Sequence, residues 1–226
     1  MIDFKGHRVE KDIILLCVRW YLAYPLSYRN LEEMMEERGI QVDHSNIYRW
    51  VQKFTPPLEA AFRNGKKRPV GSSWRMDETY LKIKGQWKYL YRAVDKEGQT
   101  IDFLLTAHRD KKAAKRFLKK AVRQHELPDK ITIDKSGTNA AAIEVLIEET
   151  GHEIEIRQNK YLNNRVEQDH RAVKRIVRAM LGFMSFRATS ITLRGIELVH
   201  MLKKGQMNAG NGQGLSAAEQ FYSLVA

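Results

Sequence analysis

From residue 11 to residue 54 the apolar positions recur every three to four residues, the pattern of helices buried along one face. Ile14, Val18 and Tyr21 mark a first helix over 11–23. Pro25 stops it, because proline cannot donate the next helical hydrogen bond. Ser27 is a good N-cap for a second helix carrying Leu31, Met34 and Met35, and Gly39 closes that helix. After a turn at 40–43, a third helix starts at Asp43 or Ser45 and turns Ile47, Trp50, Val51 and Phe54 inward. Pro56-Pro57 is expected to break it, leaving 55–73 as an exposed linker with Lys66-Lys67-Arg68-Pro69 and Gly71-Ser72-Ser73.

Beyond the linker the pattern changes to strands. Segments 74–84, 87–94 and 100–106 are rich in aromatic and branched residues and are separated by short turns at Gly85 and at 95–98, which predicts an antiparallel meander. A helix over 111–125 follows, with Ala114, Phe117, Leu118 and Ala121 on one side and Lys112, Arg116, Lys119, Lys120 and Arg123 on the other. Pro128 ends it. Next come a short strand over 130–133 leading to Asp134, a helix over 139–149 closed by Gly151, a strand over 153–157, a long helix over 163–181 and another over 190–204. The tail from Gln206 is Gly- and Asn-rich and ends in a short apolar segment.

This order predicts an α/β fold: a mixed five-stranded sheet with helices on its faces, in the ribonuclease H-like succession, preceded by an all-α helix-turn-helix domain. Right-handed crossovers put the fourth strand beside the first. The expected domains are 1–64, helix-turn-helix with the start of the linker, 65–205, catalytic, and 206–226, a tail.

Charge narrows the partners. The chain has 39 Lys and Arg against 27 Asp and Glu, a net charge of +12 and a pI near 9.7. Such an excess fits a polyanion whose counterions are released on binding, though a generic basic protein or one touching acidic lipid has the same balance. The single cysteine, Cys17, allows neither an internal disulfide nor a cysteine zinc site. The N-terminal MIDFKGHRVEKD is too charged for a signal peptide, and no apolar run reaches the roughly 20 residues that span a bilayer. A cytoplasmic protein with no membrane partner is expected. In a helix-turn-helix the third helix enters the major groove. Its exposed residues are His44, Ser45, Asn46, Arg49 and Lys53, and Asn and Arg suit adenine and guanine edges. A plain three-helix bundle has the same pattern.

Three acids stand where a sheet protein would ordinarily place other residues. Asp77 lies mid-strand among bulky groups, where Asp is depleted and a carboxylate needs a partner, either a metal or a structural cation. Asp134 ends the fourth strand, a position that lines sites in α/β sheets but also suits a turn or helix cap. Glu167 lies near the start of the long helix, sharing a face with His170, Arg171, Lys174 and Arg178 beside the apolar stripe of Val166, Val173, Ile176, Val177 and Met180. It can be aimed at the sheet, or simply pair with Arg171 at i+4. Glu78 should face away from Asp77. Asp95 reads as a turn residue, Asp129 precedes its strand, Asp169 is expected to face elsewhere than Glu167, and His170 reads as a substrate-side neighbour or an exposed residue. Carboxylates so placed suit phosphodiester chemistry, in which two divalent ions about 4 Å apart serve the attacking and leaving oxygens.

The stretches FKGHRVEKDIILLCVRWYL, LSYRNLEEMMEERGIQVDHSNIYRWVQKF, MDETYLKIKGQWKYLYRAVDKEGQTIDF and YLNNRVEQDHRAVKRIVRAMLGF, spread over 4–183, resemble the transposases of the insertion-sequence-six family of bacterial mobile elements. The resemblance implies a helix-turn-helix, a ribonuclease H-like domain and a DDE triad. Its first Asp falls on Asp77 in MDETY, its second on Asp134 in TIDK, and its Glu on Glu167 in NNRVEQDH, with 32 residues between the last two. The basic residue seven positions after the Glu falls on Lys174. After the second Asp this chain reads DKSGTNAAAIE rather than a proline and an aromatic residue, a departure that touches the local loop and leaves the triad intact.

The expected activity is therefore a DNA transposase that binds terminal inverted repeats, cuts and joins strands with two magnesium or manganese ions held by Asp77, Asp134 and Glu167, and forms no covalent protein–DNA intermediate. Arg171 and Lys174 would position phosphates. The partners would be double-stranded DNA, both ends and target, and further copies in a dimer or larger synapse. The alternatives are a catalytically inactive DNA-binding regulator of the same fold and a nuclease acting on RNA–DNA hybrids.

Overall fold

A computed structural model describes residues 2–64, 67–159, 164–180, 182–208 and 214–225. The expected ends of the long helix at Asn163 and Leu181, Lys66 of the linker and residues 209–213 of the tail lie outside the described residues. Packing gathers the chain into two compact units, 1–68 with 173–226, and 69–172.

The first unit is helical. The helices are α1 (Lys11–Ala23), α2 (Tyr28–Glu36) and α3 (His44–Arg63), and the last two begin where their capping residues direct. Ser27 and Asn30 form a reciprocal capping box at α2, and Asp43 accepts from the Ser45 N–H at 2.7 Å to cap α3.

The expected break at Pro56-Pro57 does not occur: α3 runs through both prolines to Arg63. Each proline removes a bond to the carbonyl four residues back and costs about 3 kcal/mol inside a helix. The offset lies in what the extra turns bury. Leu58 and Phe62 are both fully buried, each contributing about 1.5–3 kcal/mol. Buried Glu59 on the same turns is paired with Arg63 and with Arg194 of α7 (Phe186–Lys203).

Helix α7 packs with α1 and α3. A Cβ at Gly195 would stand 2.6 Å from the Leu22 side chain and 2.9 Å from Thr55, so only glycine permits this approach. Gln52 Nε2 donates to Thr192 Oγ1 at 3.2 Å across the same seam. The apolar segment near the C-terminus forms α8 (Ala217–Tyr222) and a 3-10 turn (Ser223–Val225), which bury Phe221 and Leu224.

The second unit is built on one five-stranded sheet in the order β3-β2-β1-β4-β5. Its strands are β1 (Ser73–Ile83), β2 (Gln86–Asp95), β3 (Thr100–Thr106), β4 (Lys130–Ile133) and β5 (Glu155–Gln158). The first three pair antiparallel, and β1–β4 and β4–β5 pair parallel. This is the mixed ribonuclease H-like sheet expected from the sequence, with the fourth strand beside the first. Helices α4 (Lys111–Val122) and α5 (Gly137–Thr150) close one sheet face over a core that includes Trp74, Met76, Ala93, Ile131, Ile133, Phe117, Leu118, Ile143 and Leu146. Gly151, at φ +66°, ends α5. Helix α6 (Asn164–Arg178) completes the elements.

Candidate active site

The site begins with strand register. Ser73, Trp74 and Arg75 stand opposite Lys130, Ile131 and Thr132. Asp134 is the first residue after β4, and the same offset carried two residues further would bring it level with Asp77. Trp74 and Met76 of β1 and Ile131 and Ile133 of β4 belong to the core under α4 and α5. Alternation therefore assigns Asp77 and Asp134 to the other face of the sheet, side by side. Both are half-buried.

The start of helix α6 meets that face through polar contacts from Asp169 and His170. Its buried residues Val166, Asp169, His170, Val173 and Ile176 recur at helical spacing. His170 Nε2 lies 3.4 Å from Asp77 Oδ2. The guanidinium of Arg92, fully buried on β2, donates through Nη1 to Asp169 Oδ2 at 2.6 Å. Arg92 is the cross-strand partner of Asp77. Glu167 is half-buried in the first turn of α6, three residues before His170, at the margin of this stripe. His170 is the residue of α6 that approaches Asp77.

One alternative is removed here: His170 is buried against Asp77 rather than exposed, while Asp169, expected to face elsewhere than Glu167, is buried in an ion pair with Arg92. The signal was in the spacing: 169 and 170 fall three and four residues after Val166 and before Val173, squarely on the apolar stripe. Residue type, polar and titratable, argued against burial. Arg92 also escaped notice, although it stands in the run Leu-Tyr-Arg-Ala-Val, buried on both faces.

Glu78 is on the opposite face from Asp77, as alternation requires. Its carboxylate accepts from Asn139 Nδ2 of α5 at 2.9 Å and pairs with Arg109, and its side chain is only 5% exposed. Burial pulls the Arg109 guanidinium down, but the Glu78 carboxylate beside it, with a smaller contribution from Asp134, holds it above its ordinary value. Glu78 therefore ties β1 to α5 and to the loop before α4, just behind the two aspartates.

On α3, Asn46 and Arg49 are exposed, with Arg49 Nη1 3.5 Å from Asn46 Oδ1. Ser45 is half-buried beside its capping Asp43. His44 is turned toward Glu32, Nδ1 to Oε2 3.0 Å. Lys53 lies 2.9 Å from His7 Nε2 and over the Phe54 ring at 5.1 Å. Arg171 is exposed and Lys174 half-buried on α6. Among the described residues, the ligand atoms of Glu32, Asp43 and His44 come within 4.8 Å of one another, an arrangement explained by the cap and ion pair at the start of α3. The carboxylates of Asp77, Asp134 and Glu167 are not drawn together to that distance.

Residues 71–206 match the family described as a DDE domain of IS240 type, and residues 11–128 match the Transposase IS66 family. The chain is similar to the transposase for insertion sequence-like element IS431mec of Staphylococcus aureus strain Mu50, 38% identical over 224 residues, covering 99% of this chain and 98% of that protein. It is similarly related to the transposase for insertion sequence element IS257 in transposon Tn4003 of Staphylococcus aureus, 37% identical over 224 residues with the same coverage. Among solved structures, the HTLV-2 integrase catalytic core domain in complex with magnesium superposes with a TM-score of 0.48 at 15% identity, covering 66% of this chain and 97% of that chain. No helix among the described residues is long and apolar enough to cross a membrane.

Proposed function

The chain belongs to the DDE transposases of the insertion-sequence-six family, and from that premise we propose that it binds the terminal inverted repeats of an insertion sequence and catalyses DNA strand cleavage and strand transfer. The observation that supports the proposal most directly is the approach of His170 on α6 to Asp77 on β1, a strand that pairs in parallel with the strand leading to Asp134.

The donor set fits a hard divalent cation. Asp77, Asp134 and Glu167 offer oxygen ligands only, and magnesium or manganese keeps several waters and needs few protein carboxylates. Carboxylates spread more widely than a single-ion cage suit two ions, each with its own water shell. When bound, such ions supply a nucleophile at neutral pH and stabilise charge at the departing 3′ oxygen.

The chain's own residues do the rest. Asp77 and Asp134 are held by the strand register, and Arg92 and Asp169 hold α6 so that Glu167 enters from its first turn. His170 packs against Asp77 and limits its rotation. Arg171 and Lys174 meet DNA phosphates, and Asn46 and Arg49 read base edges with Ser45, His44 and Lys53 at the border of the groove. Two ends must be held at once, so the working form is a dimer or larger synapse.

The test is an assay of purified protein on terminal-repeat DNA with magnesium. Asp77→Asn should abolish strand transfer while leaving DNA binding in place. Transfer that survives in Asp77→Asn refutes the site. A wild-type chain that binds the repeats but never nicks or joins them is a DNA-binding regulator instead.

A further inference from the structure

Strands β1 and β2 are joined by a two-residue turn, Lys84-Gly85, closed by the pair Ile83 and Gln86. Both turn residues have positive φ, +48° and +74°, as a primed hairpin turn requires. The hairpin carries a surface that the proposed chemistry does not use. Tyr80 and Trp87 are 55% and 51% exposed, and their rings meet edge to face at 4.9 Å. Lys82, the cross-strand partner of Trp87, places Nζ 5.0 Å from the Trp87 ring centre. Tyr89, paired with Tyr80, extends the aromatic ladder on the same side.

Leaving large rings in water forgoes the stabilisation that burial provides, about 1.5–3 kcal/mol for a large apolar side chain, so a cluster of them marks an interaction surface. The hairpin itself carries charge of a single sign. Between Glu78 and Asp95 the chain contains Lys82, Lys84, Lys88 and the buried Arg92, and no acidic residue. Lys82 and Lys84 are exposed and Lys88 is half-buried. Aromatic rings set among cations form the combination that binds single-stranded nucleic acid, with rings stacking on bases and ammonium groups following the phosphates. A paired duplex hides its base faces and offers these rings nothing to stack on. A second copy of a chain with net charge +12 would be repelled by the lysines.

We propose that the β1–β2 hairpin binds unpaired nucleotides of DNA, with Trp87 stacking a base and Lys82 and Lys84 holding its flanking phosphates. The proposal rests on the DNA-acting reading above and adds a class of ligand, a frayed or displaced single strand, to the duplex that the helix-turn-helix is proposed to read.

The experiment compares the full chain, wild type, Trp87→Ala and Trp87→Phe, binding a fluorescent thymidine oligonucleotide and a blunt terminal-repeat duplex in chelator at one fixed salt concentration. Trp87→Ala should weaken oligonucleotide binding about tenfold or more and leave duplex binding within about twofold. Trp87→Phe should keep most of the oligonucleotide affinity, since a ring remains. Unchanged oligonucleotide binding in Trp87→Ala, or an equal loss on both DNAs, overturns the proposal. So does a loss of self-association on sedimentation with oligonucleotide affinity unmoved, which would assign the surface to a second copy. Wild-type protein that binds the duplex but not the oligonucleotide refutes the hairpin proposal alone. Wild-type protein that binds neither DNA refutes the DNA-acting reading as well. Because no metal is present, the outcome is independent of the carboxylate assignment.

Discussion

The two faces of the sheet in 69–172 are covered by opposite means. One face receives α4 and α5 through an apolar core in which Trp74, Met76, Ile131 and Ile133 meet Phe117, Leu118 and Ile143. The other receives the start of α6 through the Arg92–Asp169 ion pair and the approach of His170 to Asp77. Apolar contact is non-directional and tolerates small shifts, whereas a buried ion pair fixes the position and rotation of what it joins. The face built for stability is greasy; the face proposed for chemistry is held by charge. A metal-binding carboxylate needs placement more than it needs burial, and the polar face is suited to provide it.

The largest effect expected from breaking this contrast is at Arg92. Arg92→Met alone leaves Asp169 as a buried carboxylate without its guanidinium, which should cost about 3–5 kcal/mol in urea denaturation. Replacing both partners, Arg92→Met with Asp169→Leu, should restore stability to within about 1 kcal/mol, because the double change removes the stranded charge. Strand transfer should stay low in the double variant, since a non-directional contact no longer fixes α6 and Glu167. Full recovery of transfer would show that the pair serves stability alone and would erase the proposed difference between the faces.

The apolar face was legible in the sequence and the charged face only partly. Helical spacing over 111–125 named Ala114, Phe117, Leu118 and Ala121, and runs of aromatic and branched residues marked the strands, because apolar side chains announce their own burial. Asp77 and Asp134 stood out as acids at strand positions. Asp169, His170 and Arg92 did not, because a polar side chain's burial depends on a partner supplied from far along the chain, 77 residues away for Arg92 and Asp169. The same blindness affected Pro56-Pro57, where local propensity argued for a break and the burial of Leu58 and Phe62 on the far side decided otherwise. Nor did periodicity reveal that α7 packs on α1 and α3, since that depends on Gly195 meeting Leu22 and Thr55.

A smaller effect is expected where the two faces meet. Glu78 sits behind the aspartates, held by Asn139 and Arg109. Asn139→Ala removes a hydrogen bond to a charged, nearly buried carboxylate and should cost about 1.5–3 kcal/mol. It should also lower strand transfer by loosening α5, whose first residues follow Asp134. Asn139→Asp, which sets a second carboxylate against Glu78, should be worse than Ala in both assays. If Asn139→Asp proved the milder change, the Asn139–Glu78 hydrogen bond would not be what holds α5 against β1, and Glu78 as an anchor would have to be abandoned.

The smallest effect sharpens the contrast from the apolar side. Tyr91 is fully buried in the core, stacked on Phe117 at 6.0 Å, and its hydroxyl has no hydrogen-bond partner among the described residues. Burial, reinforced by the nearby Glu78 charge, pushes its phenol up to about 12. A group whose native value is raised contributes stability that is fully present below its unfolded value, near 10, and is lost as pH rises toward the native one. That loss should reach about 1 kcal/mol by pH 11. Tyr91→Phe keeps the ring and removes both the unpartnered hydroxyl and the titration. Its stability at pH 7 should equal or exceed wild type by up to about 1 kcal/mol, and the difference between the two proteins should grow in its favour from pH 9 to 11. A Phe variant that is less stable at pH 7, with an unchanged alkaline slope, would mean that the hydroxyl is engaged in the native state, and that the apolar face also depends on a polar contact.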